Sequence, residues 1–350
     1  DLAIRTQSTV NTATYTGEAL PLSVQRVSSR ASVDVVGATK LVAGRDAALT
    51  ASSNVTTDVK PAAAGQDRAG DASVAVSDVY SAARVHVGDA VIQVERGLAL
   101  EASNIVGVNV VADAAAAGEK AGGASVAVSK LRTDTTVLVD GATAIDAGAL
   151  ALHALSHNSV AVTAKAAAQG ADKDQSGSSK ASQYLADYQD NARTADSDAK
   201  APAQSDASGI QLTAALAISD LESSTQASLA SSQAASVDGA VSLLSQSANN
   251  AAVNADARSA NGATGVGTAV GINLGRAANT AELAQALGAH SLSVSAGLSP
   301  IPIAVAHPCD RESLLGPVQA AKAGLVDPIL VGPESRIRAV AEEHEIDIKG

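Results

Sequence analysis

The chain reads as mainly β: a parallel β-solenoid of repeats about 52 residues long, followed by a truncated βαβα start of a doubly wound α/β domain. Three observations carry this expectation. Short strips recur at one spacing, the strips alternate with period two, and composition changes abruptly near Ser299.

The clearest echo sets Ala72-Ser-Val-Ala-Val-Ser77 against Ala124-Ser-Val-Ala-Val-Ser129, 52 residues apart. Val33-Asp-Val-Val-Gly-Ala38, Val85-His-Val-Gly-Asp-Ala90 and Val137-Leu-Val-Asp-Gly-Ala142 repeat the same offset. A third strip pairs Leu98-Ala-Leu-Glu-Ala102 with Leu150-Ala-Leu-His-Ala154. A fourth, looser strip starts at Val55, Val106, Val160 and Val253, and each copy runs into Ala-rich sequence and a Gly. Further copies of the first strip stand at Leu20 to Val24, Ala214 to Ser219 and Gly267 to Asn273, which makes roughly five units, the last cut short.

Alternation of small or polar with aliphatic residues is the pattern of a strand with one buried face. Gly, Asp and Asn cluster between strips, where the chain must turn. Four strands per unit, stacked in register, predict a narrow interior of Ala, Val and Leu ladders. Abundant Ala favours helices, but the Val-x-Val alternation and the many Ser, Thr and Gly count against them.

Composition agrees. The 350 residues weigh only 34.4 kDa and include no Phe, Trp or Met and just four Tyr, although 46% are hydrophobic. A conventional two-domain enzyme core is built from larger side chains, and general disorder needs fewer apolar ones. A ring in one coil would need matching room in every neighbouring coil. The net charge of −12 leaves no basic footprint for nucleic acid or an anionic membrane. No run reaches the ~18 apolar residues of a membrane span; Ile105 to Gly118 is broken by Asn109 and Asp113. With neither an initiating Met nor a signal-peptide pattern, the chain reads as a piece of something longer.

Residues 171–208 interrupt the third unit with Asp, Ser, Lys and Gln and contain no Val or Ile, which predicts a mobile insertion on the flank. Tyr184 and Tyr188 within it have the spacing of a shared helix face.

Units such as GDASVAVSDVYSAARVHVGDAVIQV and GGASVAVSKLRTDTTVLVDGATAI resemble, over about residues 20–298, the repeats of leukotoxin-type filamentous adhesins. That resemblance implies an exported, rod-like β-helix at the bacterial surface that presents itself to a host or cell-surface ligand. It brings no catalytic residues.

Residues 299–350 hold six of the nine prolines and the single cysteine, Cys309, so a boundary falls near 298. Ile301 to Ala306 reads as a short strand. Asp310 is a plausible N-cap for a helix carrying Leu314, Val318, Ala321 and Leu325 on one face, with Pro317 awkwardly inside and Gly324 at its end. Ile329 to Gly332 is a second strand. Pro333 at a first helical position opens a second helix with Ile337, Val340, Ala341 and His344 on one face. The stretch from Ile301 to Gly350 resembles the opening of phosphate acetyl/butyryltransferases, of the kind fused behind an enoyl-CoA-hydratase-like segment. The resemblance implies acyl transfer between coenzyme A and phosphate. The family's catalytic Ser, Asp and Arg lie in later sequence and have no counterpart here.

Candidate chemistry is sparse. His307, Cys309 and Asp310 follow the first strand of the tail, where ligands gather in doubly wound sheets, so they are weak cleft candidates. The plainer alternative is a loop histidine, a packed cysteine and a capping aspartate. His153 and His157 lack the Glu of a zincin motif and read as turn or surface residues. Gly265-Val-Gly-Thr-Ala-Val-Gly271 is in register with the first strip, which makes it repeat structure and not a dinucleotide loop. Asn54-Val-Thr56 is a glycosylation sequon by pattern. No metal and no cofactor are called for.

The expected function is therefore a structural or adhesive surface segment without catalysis, at the cell surface or outside it. The alternative is a cytoplasmic phosphate acyltransferase defined by the tail, with coenzyme A as substrate.

Overall fold

The computed structural model describes residues 1–16, 22–61, 70–117, 121–169, 210–260, 264–298, 301–306, 310–322, 326–344, 346 and 348. The predicted insertion at 171–208, with Tyr184 and Tyr188, lies outside them.

The protein is mostly β, and its pairings are parallel. After β1 (Leu2–Thr16), each winding of the chain contributes first to one sheet and then to another. The first winding is β2 (Leu22–Val36), β3 (Lys40–Ala43) and β4 (Ala47–Pro61). The second is β5 (Gly70–Gly88) and β6 (Val91–Ala117), and the third β7 (Gly122–Asp140) and β8 (Ala144–Gln169). The fourth comprises β9 (Ile210–Leu229), β10 (Ala235–Val237) and β11 (Ala240–Ala260). The fifth, β12 (Thr264–Leu283), β13 (Leu287–Gly288) and β14 (Ser291–Leu298), ends on a short strand. β2, β5, β7, β9 and β12 form a five-stranded sheet; β1 and the remaining strands of these windings form a nine-stranded one.

The repeat inferred from sequence is the pairing register. Ala72 to Ser77 lie beside Ala124 to Ser129, which lie beside Ala214 to Ser219. Val33, Val85 and Val137 form one column, and Leu98 and Leu150 share another. Two details differ. The expected four strands per unit merge into two long ones, because nothing between adjacent strips breaks an extended backbone; β5 runs from Gly70 through both of its strips to Gly88. The fourth strip is shifted by two residues, so Val160 pairs with Val108 and Val253 with Val162. A two-residue shift keeps the same face buried.

The gap between the sheets tapers, and side-chain size follows it. At the wide end Leu49, Leu100, Leu152 and Leu243 form a fully buried column packed against Val33, Val85 and Val137. At the narrow end some positions admit only Gly. A Cβ on Gly123 would sit 2.9 Å from the Ala167 carbonyl oxygen across the gap, and one on Gly267 would sit 2.6 Å from that of Ala257. The first strip is therefore oriented against simple hydrophobic expectation: Ser73, Ala75 and Ser77 point inward, as do Ser125, Ala127 and Ser129, while the valines between them face out, half-buried.

A polar seam divides the interior into two apolar clusters. The hydroxyls of Ser8, Ser29, Ser53 and Ser81 are linked in series at 2.7–2.8 Å, alternating between sheets, and Ser81 donates to Asn104 Oδ1 at 2.7 Å. Asn104 Nδ2 donates back to the Ser81 carbonyl. Further along, Asn158 Nδ2 lies 2.7–3.2 Å from Thr133, Ser156 and Ser223 hydroxyls and from Asn249 Oδ1. Along the Ser8–Asn104 run the buried hydroxyls and the amide satisfy one another across the gap.

Corners use the left-handed conformation at Gly37, Ala38, Asp89 and Gly141. Gly141 has φ +63° and Asp89 φ +54°, and the Asp89 carboxylate accepts the Ala142 N–H at 2.8 Å in the next winding.

In the tail, β15 (Ile301–Ala306) and β16 (Val326–Val331) pair in parallel, with α1 (Arg311–Lys322) between them in sequence and α2 (Glu334–Glu343) following. Leu314, Val318, Ile337, Ala341 and Ile346 form a separate small cluster. Pro317 lies within α1, which carries Leu314 and Val318 buried on one face; Gly324 and Leu325, expected at its end, lie outside the described residues. Pro333 is the extended residue preceding α2 and not its first helical residue, and His344 is exposed at the C-cap instead of on the packed face. Ile329 and Val331 remain more than half exposed, so one face of β16 is bare.

Replacing Asn104 with Ala removes its two hydrogen bonds to Ser81 inside the protein. Asn104→Ala is expected to cost about 1–3 kcal/mol, read as a lower midpoint in urea unfolding, whereas Asn109→Ala on the outer face should change it little.

Candidate functional site

The tail candidates separate. His307 and Cys309 lie outside the described residues. Asp310 is a helix cap: its Oδ1 accepts the Ser313 backbone N–H at 2.9 Å, and its Oδ2 accepts the Ser313 hydroxyl at 2.8 Å. Leu314 N–H reaches the Asp310 carbonyl at 3.2 Å, closing the first turn. Both carboxylate oxygens thus hold the start of α1.

His153 and His157 lie on the outer face of β8. Four residues along a strand span ~13 Å, whereas four along a helix bring two rings together. The pair therefore cannot share a metal. His153 Nε2 is 3.2 Å from the Ser242 hydroxyl of β11. Gly265 to Gly271 lie on β12 beside β9, as repeat structure. Asn54 and Thr56 are outward-facing positions of β4. Among the described residues no group of His, Cys, Asp and Glu is placed to hold a metal.

Two charged clusters escaped sequence reasoning. His86 lies between carboxylates of the windings on either side, with Nε2 2.9 Å from Asp140 Oδ1 and Nδ1 3.7 Å from Asp34 Oδ1. Gly88 leaves room for this contact, since a Cβ there would meet Asp140 Oδ1 at 2.9 Å. The signal was available: Asp34 and His86 occupy the same position of the strip, 52 residues apart. In the same way Asp78 bridges Arg26 at 3.1 Å and Arg132 at 3.4 Å. Both clusters clasp three windings, and neither has a Ser or Cys nucleophile in hydrogen-bond contact with it.

A third charged group stands at the narrow end. Asp71 reaches across the gap and accepts the Ala115 N–H at 2.7 Å, and Ser73 Oγ accepts that of Asp113 at 3.1 Å. Lys165 pairs in register with Asp113. Burial raises the Asp113 pKa above its ordinary 3.8; the Lys165 charge opposes the rise and Asp71 adds to it. Of these groups only Asp71 lines a depression, with Gly122, Ala124, Leu212 and Val266, and it contains no convergent set of catalytic groups.

No known family profile matches the chain, and no solved structure matches it. Phosphate acetyltransferase of Rickettsia prowazekii (strain Madrid E) is 49% identical to it over 53 residues, which is 15% of each protein. Phosphate acetyltransferase of Rhizobium meliloti is 59% identical over 44 residues, 13% of this chain and 14% of that protein. That of Rickettsia typhi (strain ATCC VR-144 / Wilmington) is 47% identical over 53 residues. The chain thus spans about 15% of the length of the curated relatives it matches. A short stretch of phosphate acetyltransferase-like sequence is shown; the filamentous-adhesin resemblance receives no support from these comparisons.

Since the folded-state pKa of Asp113 lies above the unfolded one, its contribution favours folding below about pH 3.8 and is lost as pH rises through the raised value. Asp113→Asn should therefore raise Tm at pH 7, and the gain should shrink toward zero near pH 4. Thermal unfolding of both proteins at each pH measures it.

Proposed function

We propose that the chain is a structural and display segment without catalysis of its own: a parallel β-solenoid over residues 1–298, joined to residues 299–350 as the opening fragment of a phosphate acyltransferase-like α/β domain. The observation that supports it most is the continuous register from β2 to β12, in which side chains that would otherwise line a cleft are committed to columns and clasps between windings. What such a stack offers a partner is a long outer surface, and a host or cell-surface ligand is the class of partner that suits an exported rod. That reading places the repeat outside the cell or on its surface and needs no cofactor. Among the described residues no helix is long and apolar enough to cross a membrane.

The second reading rests on the matches of 43–59% identity to phosphate acetyltransferases. Under it the tail begins a domain that transfers an acyl group between coenzyme A and phosphate in the cytoplasm. The bare face of β16 favours incompleteness: Ile329 and Val331 are left for further sequence to cover.

Acetyl-CoA formation from acetyl phosphate and coenzyme A separates the two. The 350-residue protein is expected to give no turnover above the protein-free rate. Robust turnover, abolished by Asp310→Ala or Cys309→Ala, would overturn the display reading and make the tail an active site.

A further inference from the structure

On the outer face of the five-stranded sheet, register brings residues of three successive windings side by side. Arg26 lies beside Asp78 and Lys130, and Ser28 beside Tyr80 and Arg132. Arg30 lies beside Ala82 and Asp134, and Ser32 beside Arg84 and Thr136. Five cations thus share this patch with two carboxylates, in a chain whose formal net charge is −12. Asp220 and Glu222 bound the patch in the fourth winding, and Asp34 and Asp140, on either side of His86, bound it toward the corner.

Both carboxylates of the patch have partners within it. Asp78 bridges Arg26 and Arg132, and Asp134 accepts the Thr136 hydroxyl at 2.9 Å. Arg84 and Lys130 are exposed and, among the described residues, pair with no carboxylate. Arg30 is exposed as well, and its guanidinium lies 5.2 Å from the centroid of the Tyr80 ring. A guanidinium held against a ring loses little freedom when its N–H edge takes an oxyanion in a two-point contact. Arg30 and Arg84 are diagonal neighbours, about 8 Å apart at Cα, and Arg84 to Lys130 spans about 20 Å. The floor between these cations is Ser28, Ser32, Ala82 and the half-buried Tyr80.

We propose that this face binds a carboxylated polysaccharide, a uronate polymer. Arg30 and Arg84 hold its carboxylates, Lys130 meets a further one along the polymer, and Ser28, Ser32 and Tyr80 face the sugar rings. The proposal rests on the display reading and names the class of ligand that the stack is displayed to. Single cations set among small hydroxyl-bearing residues suit a polymer with one charge per ring. A nucleic acid, densely charged along its backbone, is repelled by an acidic protein of this kind. A peptide has no ladder edge to join here, because β5 is already paired on both sides, with β2 and β7. The site uses outward side chains and no strand edge.

Calorimetric titration of the full chain with polygalacturonate at low salt tests this, with neutral dextran, poly-L-glutamate and single-stranded DNA as comparisons. Wild type should bind polygalacturonate, more weakly as salt rises, and should bind the other three weakly or not at all. Arg30→Gln/Arg84→Gln should weaken binding at least about tenfold. Arg30→Lys keeps the charge without the planar fork and should still lose affinity about threefold. Arg5→Gln/Lys40→Gln removes the same charge from the nine-stranded sheet and should leave affinity unchanged, with circular dichroism confirming the β spectrum of each variant. No binding by wild type, an equal loss in the Arg5/Lys40 pair, or equal affinity for poly-L-glutamate or DNA would each overturn the site. The acetyl-CoA assay judges the display reading separately, since a failed titration without turnover removes the site and leaves that reading standing.

Discussion

The width of the gap between the two sheets governs everything else in residues 1–298. Stacking at one repeat makes each side chain a member of a column, and in the wide part of the gap the members of a column match in size. Where the gap is wide the column is Leu49, Leu100, Leu152 and Leu243; where it closes, the carbonyls of Ala167 and Ala257 leave room for glycine alone at positions 123 and 267. The absence of Phe, Trp and Met suits a gap this narrow.

The same constraint explains the polar seam. Midway along the taper, Ser8, Ser29, Ser53, Ser81 and Asn104 face one another across the gap at hydrogen-bonding distance. Short side chains with a donor and an acceptor suit a space too narrow for two aliphatic layers and wide enough for a hydroxyl pair. The seam separates the Leu-rich cluster from the Val- and Ala-rich one, and it ties the sheets together with directional contacts where apolar packing is thin.

Much of this was legible in the sequence. The strips at 52-residue offsets are the neighbours in the ladders, residue for residue in the first three strips, since in-register parallel stacking writes spatial neighbours at a fixed sequence distance. Asp310 as a helix cap was equally readable, because the Asp-x-x-Ser pattern acts locally. The inward orientation of Ser73 and Ser77 was not, because alternation fixes which residues share a face but not which face meets the other sheet. Nor was the His86 clasp: residue types on an outer face are weakly constrained, and His86 acquires meaning only beside Asp34 and Asp140 in adjoining windings. In the tail, the capped helix and parallel strand pair are local features, while whatever would cover Ile329 and Val331 lies beyond the segment that local rules describe.

Amide hydrogen exchange on the protein tests most directly whether the columns hold it together. Each winding is supported by its neighbours, so protection should be greatest for the inter-strand amides of β6 to β8 and fall steadily toward β1 and β2 at one end and β12 and β14 at the other. Uniform protection across all windings, or faster exchange in β6 to β8 than in β12, would contradict a stack stabilised winding upon winding.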